Sequence, residues 1–300
     1  MSSPHNEKAL KICDKVRGRN GSKYVYISNL RCLTRVARYF CVLTAYFDES
    51  YNDRTLCIGG WLCRDDVWAL IEKKWLERLN YERRVSAKRG LPTIRRYHAA
   101  DCANLKRDFK GWDTPRQIRL TKRIIEILGH CKPVGFAAGA SLAELCDAFP
   151  ALKSKSANDQ KWEAYKLCMQ ECLAQIGTFM HDDFPHDRVT IIHDRGEYDS
   201  AAKSAFDEIF AATNWPHKSY FVGIMPGGWE DFIALQPADF LAYEGFKLTE
   251  RHKRGEFDLR RTLQAVVSRE TPIRAGLFLG SGLAELASRG MGLTKLGTRP

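Results

Sequence analysis

The chain has 300 residues, of which 44% are hydrophobic and 11% aromatic, so it can bury a sizeable core in one large domain or two small ones. No stretch is apolar over the roughly 18 residues that a membrane span needs, and no N-terminal secretion signal is visible. These features predict a cytoplasmic protein without a membrane partner. The ten cysteines are scattered without a CxxC pair, which predicts reduced core residues and argues against a zinc or disulfide framework.

The net charge of +11 is concentrated in two stretches of the chain. Residues 1–40 carry +7 and residues 64–132 carry +9, whereas residues 41–63 and 133–300 are slightly acidic. This asymmetry suits a polyanionic partner, and nucleic acid is the commonest one. A solvated helical face explains the same composition equally well.

The first half of the chain predicts a hairpin of strands followed by helices. Apolar runs that end at turn residues indicate the strands, and apolar residues at helical spacing indicate the helices. In chain order the predicted elements are a basic, weakly ordered arm (1–39), a buried strand from 40 to about 48, a second strand (55–63), and helices over 67–84 and 114–129 inside a basic helical insertion (64–132).

The second half alternates strands and helices, which is typical of the α/β class. The main domain is predicted to end near residue 254. Beyond it lies a C-terminal extension (255–300) in which no element is predicted. In chain order the predicted elements are a strand (133–140), a short helix (141–149), a long helix (159–181), a buried strand (189–194), a helix (200–213), a strand (220–225) and a helix (232–254).

Three aspartates are the candidate site residues. Asp48 and Asp194 each end an apolar strand, and Asp239 falls near the centre of the apolar stripe of the last long helix. Because an unpaired carboxylate in a low-dielectric surrounding is costly, each must reach water, a cation or a metal. A solvated strand end would satisfy the same need for the first two, and an ion pair with an arginine or a raised pKa would do so for Asp239. The small residues Ala238 and Ala242 would let the last helix approach a sheet closely.

A shared metal site would explain all three aspartates at once. Converging carboxylates repel one another, and divalent cations remove that repulsion. Oxygen ligands without clustered cysteine or histidine favour Mg²⁺ or Mn²⁺. Two such ions about 4 Å apart can activate a water and stabilise the leaving oxygen of a phosphodiester. Since side chains alternate along a strand, we expect Asp48 rather than Glu49 to face the site.

Four short motifs carry a resemblance to a known family. They are Asp48-Glu49-Ser50, Arg96-Tyr97-His98-Ala99, His193-Asp194-Arg195-Gly196-Glu197 and Leu235-Gln236-Pro237-Ala238-Asp239-Phe240-Leu241-Ala242-Tyr243. Together they resemble domain-of-unknown-function family 3800, which is similar to ribonuclease-H-like proteins. The resemblance covers about residues 40–250. It implies a ribonuclease-H-like mixed sheet flanked by helices over residues 40–254, with an acidic metal-binding centre formed by Asp48, Asp194 and Asp239.

Three further residues are candidates for the same site. The resemblance implies a fourth acid, which Glu49 or Glu197 would supply, although a surface role fits Glu197 as well. His98 could bind a metal, act as a general base or protonate a leaving group, or it could simply hydrogen-bond Asp101 three positions on. The resemblance favours a functional role for His98.

These observations predict a divalent-metal-dependent nuclease that hydrolyses phosphodiester bonds in DNA or RNA, with the basic segments holding the backbone. Two alternatives stay open. One is a non-catalytic nucleic-acid-binding module of the same fold, and the other is a metal-dependent hydrolase of a small phosphorylated metabolite. Trp112, Trp215 and Trp229 could stack on bases, but burial in the core is the simpler expectation for each.

Overall fold

A computed structural model describes residues 42–279 and residue 283. The predicted arm over residues 1–39 and most of residues 280–300 lie outside this described part. Within it, six strands form one mixed β-sheet with helices packed on both faces. This arrangement confirms the predicted α/β class with a mixed sheet flanked by helices, and it is consistent with a ribonuclease-H-like fold.

The sheet has the strand order β5-β4-β1-β2-β3-β6. β1, β2 and β3 run antiparallel to one another, β4 is parallel to β1, β5 is parallel to β4, and β6 is parallel to β3. The antiparallel pairing of β1 with β2 follows from the short link between them, which is too short for a parallel crossover. The strands are β1 (Val42–Tyr51), β2 (Thr55–Arg64), β3 (Val134–Ser141), β4 (Arg188–Asp194), β5 (Phe221–Gly227) and β6 (Ile273–Phe278).

The helices of the described part agree with the predicted ones to within a few residues at each end, apart from α2 and α8, which the sequence did not predict. None of them is both long and apolar enough to cross a membrane. They are α1 (Asp65–Lys88), α2 (Ala99–Asn104), α3 (Thr114–Cys131), α4 (Leu142–Ala148), α5 (Ala157–Asp183), α6 (Asp199–Ala211), α7 (Leu235–His252) and α8 (Arg261–Val267).

Besides α8, three elements differ from the sequence-based expectation, each for a physical reason. α2 was predicted to be part of a loop, because its six residues are too few to show helical periodicity. β6 was missed because Ile273–Phe278 mixes arginine and glycine with apolar residues and shows no alternation. α7 begins at Leu235 rather than 232, which places Pro237 in its first turn, where the missing N–H does no harm.

Alternation along β1 assigns each residue to one of two cores. Leu43, Ala45 and Phe47 pack on the face covered by α5 and α6, whereas Tyr46 packs on the face covered by α1, α3 and α7. Asp48 is two residues beyond Tyr46, so its side chain starts from the α7 face of the sheet. The pleat therefore directs one strand-end carboxylate towards the helix that carries Asp239.

A glycine in β2 lets α7 lie directly on the sheet. Gly59 pairs with Asp48 in the β1–β2 register. A Cβ on Gly59 would meet the backbone of Leu241 and Ala242, at 2.7 Å or closer, so only glycine allows this approach. The expectation that a small residue at 242 permits close packing is confirmed. Gly59 on β2 is the second small residue that this close contact requires.

The cysteines behave as small core residues in the described part of the chain. Seven of them are free thiols, and six of these seven are buried. Burial raises the pKa of the Cys57 and Cys102 thiols, the latter to about 12, so neither is a ready thiolate nucleophile or metal ligand. This agrees with the predicted packing role.

Candidate acidic active site

Three different elements bring Asp48, Asp194 and Asp239 to one side of the sheet. Asp48 lies near the end of β1, Asp194 is the last residue of β4, and Asp239 lies on the second turn of α7. The parallel β1–β4 register pairs Phe47 with His193. One step further along the same register, Asp194 follows beside Asp48 on the α7 face. α7 packs on β1 and β2 on that face, so the three predicted aspartates lie on the same side of the sheet.

The charges of these side chains affect the pKa values of their neighbours. Burial raises the pKa of Asp48 well above its usual range, and the charges of Asp239, Glu49 and Asp194 raise it further. A hydrogen bond of 2.7 Å from the backbone N–H of Glu49 to Asp48 Oδ1 acts in the opposite direction. The pKa stays raised, because one amide donor does not offset the burial of the carboxyl group and the three nearby carboxylates.

Glu49 belongs to the same group although it leaves the strand on the other face. Burial raises its pKa to about 8, with further contributions from the charges of Asp194, Glu197 and Asp239. Because Glu49 is near the strand end, its longer side chain reaches the turn at Gly196, where an added Cβ would lie 3.9 Å from Glu49 Oε1. The residues Asp48, Glu49, Asp194 and Asp239 are called the acidic cluster below.

Asp239 is the most deeply placed member of the acidic cluster, with 6% of its surface exposed. Burial raises its pKa, and the nearby His98 and Arg96 charges and the amide of Ala99 only partly offset that effect. The Ala99 N–H donates to Asp239 Oδ2 at 2.7 Å. Asp239 forms no ion pair with any described lysine or arginine, so the ion pair considered as its non-functional explanation is not observed.

Asp194 is half-buried, and its surroundings are mixed. Burial raises its pKa to about 6, while the charge of Arg96 and the N–H of Arg195 lower it, and the charges of Asp239 and Glu230 raise it again. Arg96 is thus the cation whose field acts on both Asp194 and Asp239. It came from a predicted basic loop and was not singled out as a site residue, because a lone arginine in such a loop has no distinguishing sequence signal.

The N-terminal end of α2 positions His98 next to Asp239. The His98 side chain is 32% exposed, and its Nδ1 lies 3.1 Å from Asp101 Oδ2 and 3.3 Å from the Asp101 N–H, which it caps. The contact with Asp101 considered from the sequence is therefore present. His98 also precedes the amide that binds Asp239, and its charge lowers the pKa of Asp239, so it is a capping residue that lies at the edge of the acidic cluster.

Glu197 lies at the rim rather than inside the acidic cluster. Its side chain is exposed, and its Oε1 accepts a hydrogen bond of 2.6 Å from the Tyr51 hydroxyl. Hydrogen bonds from Tyr51 and Tyr198 lower its pKa. Glu197 therefore remains ionised and contributes to the field on Glu49, but the structure does not place it among the buried carboxylates.

Gln236 is a residue that the motif contained and the sequence analysis did not explain. Its Oε1 accepts hydrogen bonds from Trp75 Nε1 at 3.1 Å and from the Tyr97 N–H at 2.8 Å. These bonds tie α1 and the segment before α2 to the start of α7. Gln236 thereby fixes the loop that carries Arg96 and His98 against the helix that carries Asp239.

The donor chemistry of the acidic cluster fits a hard divalent cation. In the part of the chain that the structure describes, no three of the His, Cys, Asp and Glu side chains lie close enough together to form a ready-made metal site. Mg²⁺ does not require one, because it is commonly held by one or two carboxylates and keeps several waters. The raised pKa values of these carboxyl groups show that negative charge is unfavourable there, and such an ion would neutralise that charge.

Comparison with known proteins adds no family to this description. No family model matches the chain, and the search of the curated proteins found no match. The fold and the site define an α/β protein with a mixed sheet and a partly buried acidic cluster where β1 and β4 end. The resemblance to domain-of-unknown-function family 3800 rests on the motif residues alone.

Proposed function

We propose that this protein is a divalent-metal-dependent nuclease that hydrolyses phosphodiester bonds in nucleic acid. One observation carries the proposal. Carboxylates from β1, β4 and α7 share one face of the sheet, burial raises the pKa of Asp48, Asp194 and Asp239, and the charge of Asp239 adds to that effect on the other two. An arrangement that is unfavourable by itself is typical of a site that works with a bound ion.

Asp48, Asp194 and Asp239 would hold Mg²⁺ or Mn²⁺, and Glu49 is the fourth carboxylate within reach. When bound, the ion would supply charge neutralisation, orientation of the phosphodiester and a more acidic water. The chain's own groups would orient a carboxylate ligand and supply a proton. The Ala99 N–H holds the Asp239 carboxylate in one orientation at 2.7 Å, and His98 at the cluster's edge is placed to give a proton to a leaving oxygen.

The charge distribution supports nucleic acid as the substrate. Residues 64–132 have a net charge of +9, and in the structure they form α1, α2 and α3 beside the acidic cluster. Phosphate contacts from lysine and arginine dominate the affinity of most nucleic-acid-binding proteins. A cytoplasmic location and membership of domain-of-unknown-function family 3800 are part of the same proposal, supported by the free buried cysteines and by the motif residues.

Cleavage of end-labelled DNA and RNA tests the proposal. Wild-type protein, Asp239→Asn and Asp147→Asn are compared with Mg²⁺, with Mn²⁺ and with a chelator. Asp147 is an exposed acid on α4 that pairs with Lys153, so it is a matched control for the same chemical change. We expect metal-dependent cleavage by wild type and Asp147→Asn, and a loss of at least about 100-fold in Asp239→Asn. Equal cleavage by all three proteins would refute the catalytic role of the cluster.

A second candidate is a nucleic-acid-binding module that does not cleave. It is favoured by the lack, among the described residues, of a ready-made group of metal ligands. This candidate predicts binding that weakens steeply with salt, because counterions are released, and no product with any metal. The two candidates are separated by the cleavage assay, since binding alone is expected from both.

A further inference from the structure

A cavity of about 280 Å³ lies directly beside the acidic cluster. His98 and Arg96 line it, and both carry charges that act on Asp239. Trp229, from the segment between β5 and α7, also lines it. The volume is at the small end of the range for ligand pockets, roughly 300–1,000 Å³. It suits one flat ring with its substituent, and not an extended molecule.

The arginines that line this cavity differ in whether they already pair with a carboxylate. Arg95 binds Asp108, with Nη2 to Oδ1 at 3.2 Å, and Arg107 Nε lies 3.8 Å from Asp101 Oδ2. Arg96 is half-buried and has no hydrogen bond or ion pair to another described residue. A cation in such a position is stabilised when an anion arrives. Although its charge also acts on Asp194 and Asp239, Arg96 is the arginine of this cavity that pairs directly with no described carboxylate, and it can therefore bind an anion.

Arg96 and Trp229 form a pair suited to a nucleotide. The Arg96 guanidinium lies over the Trp229 ring, 5.2 Å from its centroid. Trp229 is half-buried and lines the cavity. By contrast Trp112 is 5% exposed beneath Arg116, and Trp215 packs on Phe221. Among these three tryptophans, only Trp229 offers a face at a cavity, and aromatic faces bind unstacked bases without sequence preference.

Resting on the nuclease function proposed above, we propose that this cavity receives one unpaired nucleotide next to the phosphodiester to be cleaved. Its base lies on Trp229 and its phosphate meets Arg96, which lies between the cavity and the acidic cluster. A base inside a duplex has both faces covered by its neighbours, so it enters only when it is unpaired or turned out of the helix. The substrate class is accordingly single-stranded nucleic acid, or a duplex with unpaired nucleotides.

Binding measured without metal tests this inference independently of cleavage. The full-length chain is titrated, in the presence of a chelator, with labelled oligothymidylate, oligouridylate and a blunt DNA duplex, and fluorescence anisotropy is recorded. Trp229→Leu removes the aromatic face and keeps apolar bulk, and Trp229→Phe keeps a smaller aromatic face. Arg96→Ala removes the available cation. Arg119→Ala, at an exposed position of α3, is the matched control for loss of one positive charge.

We expect Trp229→Leu to weaken single-strand binding about 5- to 150-fold, which corresponds to the loss of one stacked base. Trp229→Phe should retain most of the affinity, and binding of the blunt duplex should not change in either variant. Arg96→Ala should weaken single-strand binding and lower the salt slope by about 0.7, whereas Arg119→Ala should have a smaller effect on single strands. Glu230→Gln should tighten binding, because Glu230 is an exposed acid at the same cavity.

The possible results separate this inference from the proposed function. If wild type cleaves nucleic acid but Trp229→Leu binds single strands as tightly as Trp229→Phe does, the nucleotide site is wrong and the nuclease proposal stands. If no protein cleaves but single-strand binding depends on the aromatic face, the nucleotide site stands and the nuclease proposal falls. Equal weakening of duplex and single-strand binding by Trp229→Leu would also overturn the inference.

Discussion

Buried carboxylates have opposite surroundings in two regions of this protein. In the helical region, Glu82 of α1 is 1% exposed and Arg116 of α3 is 2% exposed, and their Oε2 and Nε atoms are 2.8 Å apart. The second oxygen of Glu82 pairs with Arg78, and Arg116 Nη2 also donates to Ser86 Oγ at 3.0 Å. Both carboxylate oxygens of Glu82 therefore pair with an arginine.

The acidic cluster has no such compensation. Burial raises the pKa of Asp48, Glu49 and Asp239, and the charges of Asp194 and Asp239 add to that effect on Asp48 and Glu49, whereas Arg96 and His98 only moderate it at Asp239. A buried acid that is fully paired holds helices together, whereas a group of acids left facing one another stores unfavourable energy. The comparison teaches that the acidic cluster is not built for stability, which is why we assign it the function.

Breaking the paired region should have the largest effect on stability. Arg116→Met leaves one oxygen of the buried Glu82 carboxylate without its partner, and we expect the free energy of unfolding to fall by roughly 3–5 kcal/mol. Urea denaturation followed by circular dichroism measures it. Arg119→Met, the same change at an exposed position of the same helix, should alter stability by less than about 0.5 kcal/mol. Similar values for both would show that the pair is not structural.

Moving α7 off the sheet should act on both stability and function. Gly59→Ala adds a Cβ that cannot fit against the α7 backbone, so we expect a loss of roughly 1–3 kcal/mol and weaker metal binding as Asp239 moves away from Asp48. Gly223→Ala in β5 is the matched control, because a Cβ there meets nothing within 4 Å. Thermal unfolding with and without Mn²⁺ measures both effects. Unchanged Mn²⁺ stabilisation in a folded Gly59→Ala protein would contradict this geometry.

The smallest expected effect has the opposite sign. In metal-free protein, Asp239→Asn removes one charge from the acidic cluster and keeps an oxygen to accept from the Ala99 N–H. We expect it to raise the free energy of unfolding by roughly 0.5–2 kcal/mol, as is common when a strained functional group is neutralised. Chemical denaturation in a chelator is the measurement. A clear loss of stability would mean that Asp239 is a paired structural acid like Glu82.

The sequence predicts those parts of the site that local patterns determine. Apolar runs with turn residues located the strands that end in Asp48 and Asp194, and helical phase placed Asp239 on the inner face of its helix. The small residues Ala238 and Ala242 predicted that the last helix lies close to a sheet, but not that Gly59 of β2 would face it.

The missing parts depend on contacts between distant residues. The pairing of Glu82 with Arg116 spans 34 positions, and the hydrogen bond from Ala99 to Asp239 spans 140. No local periodicity encodes either contact. Arg96 and Trp229 likewise come from segments far apart in the sequence, and Gln236 holds the segment before α2 against α7. A single sequence therefore identified the acids and not the groups that surround them.

Direct titration of Mn²⁺ into metal-free protein tests the central claim that the acidic cluster is a cation site. The electron paramagnetic resonance signal of free Mn²⁺ reports the unbound ion, so it reads binding without any substrate. We predict saturable binding by wild type and by Asp147→Asn, and strongly weakened binding by Asp239→Asn. Binding that is equal in all three proteins, or absent from wild type, would contradict the claim.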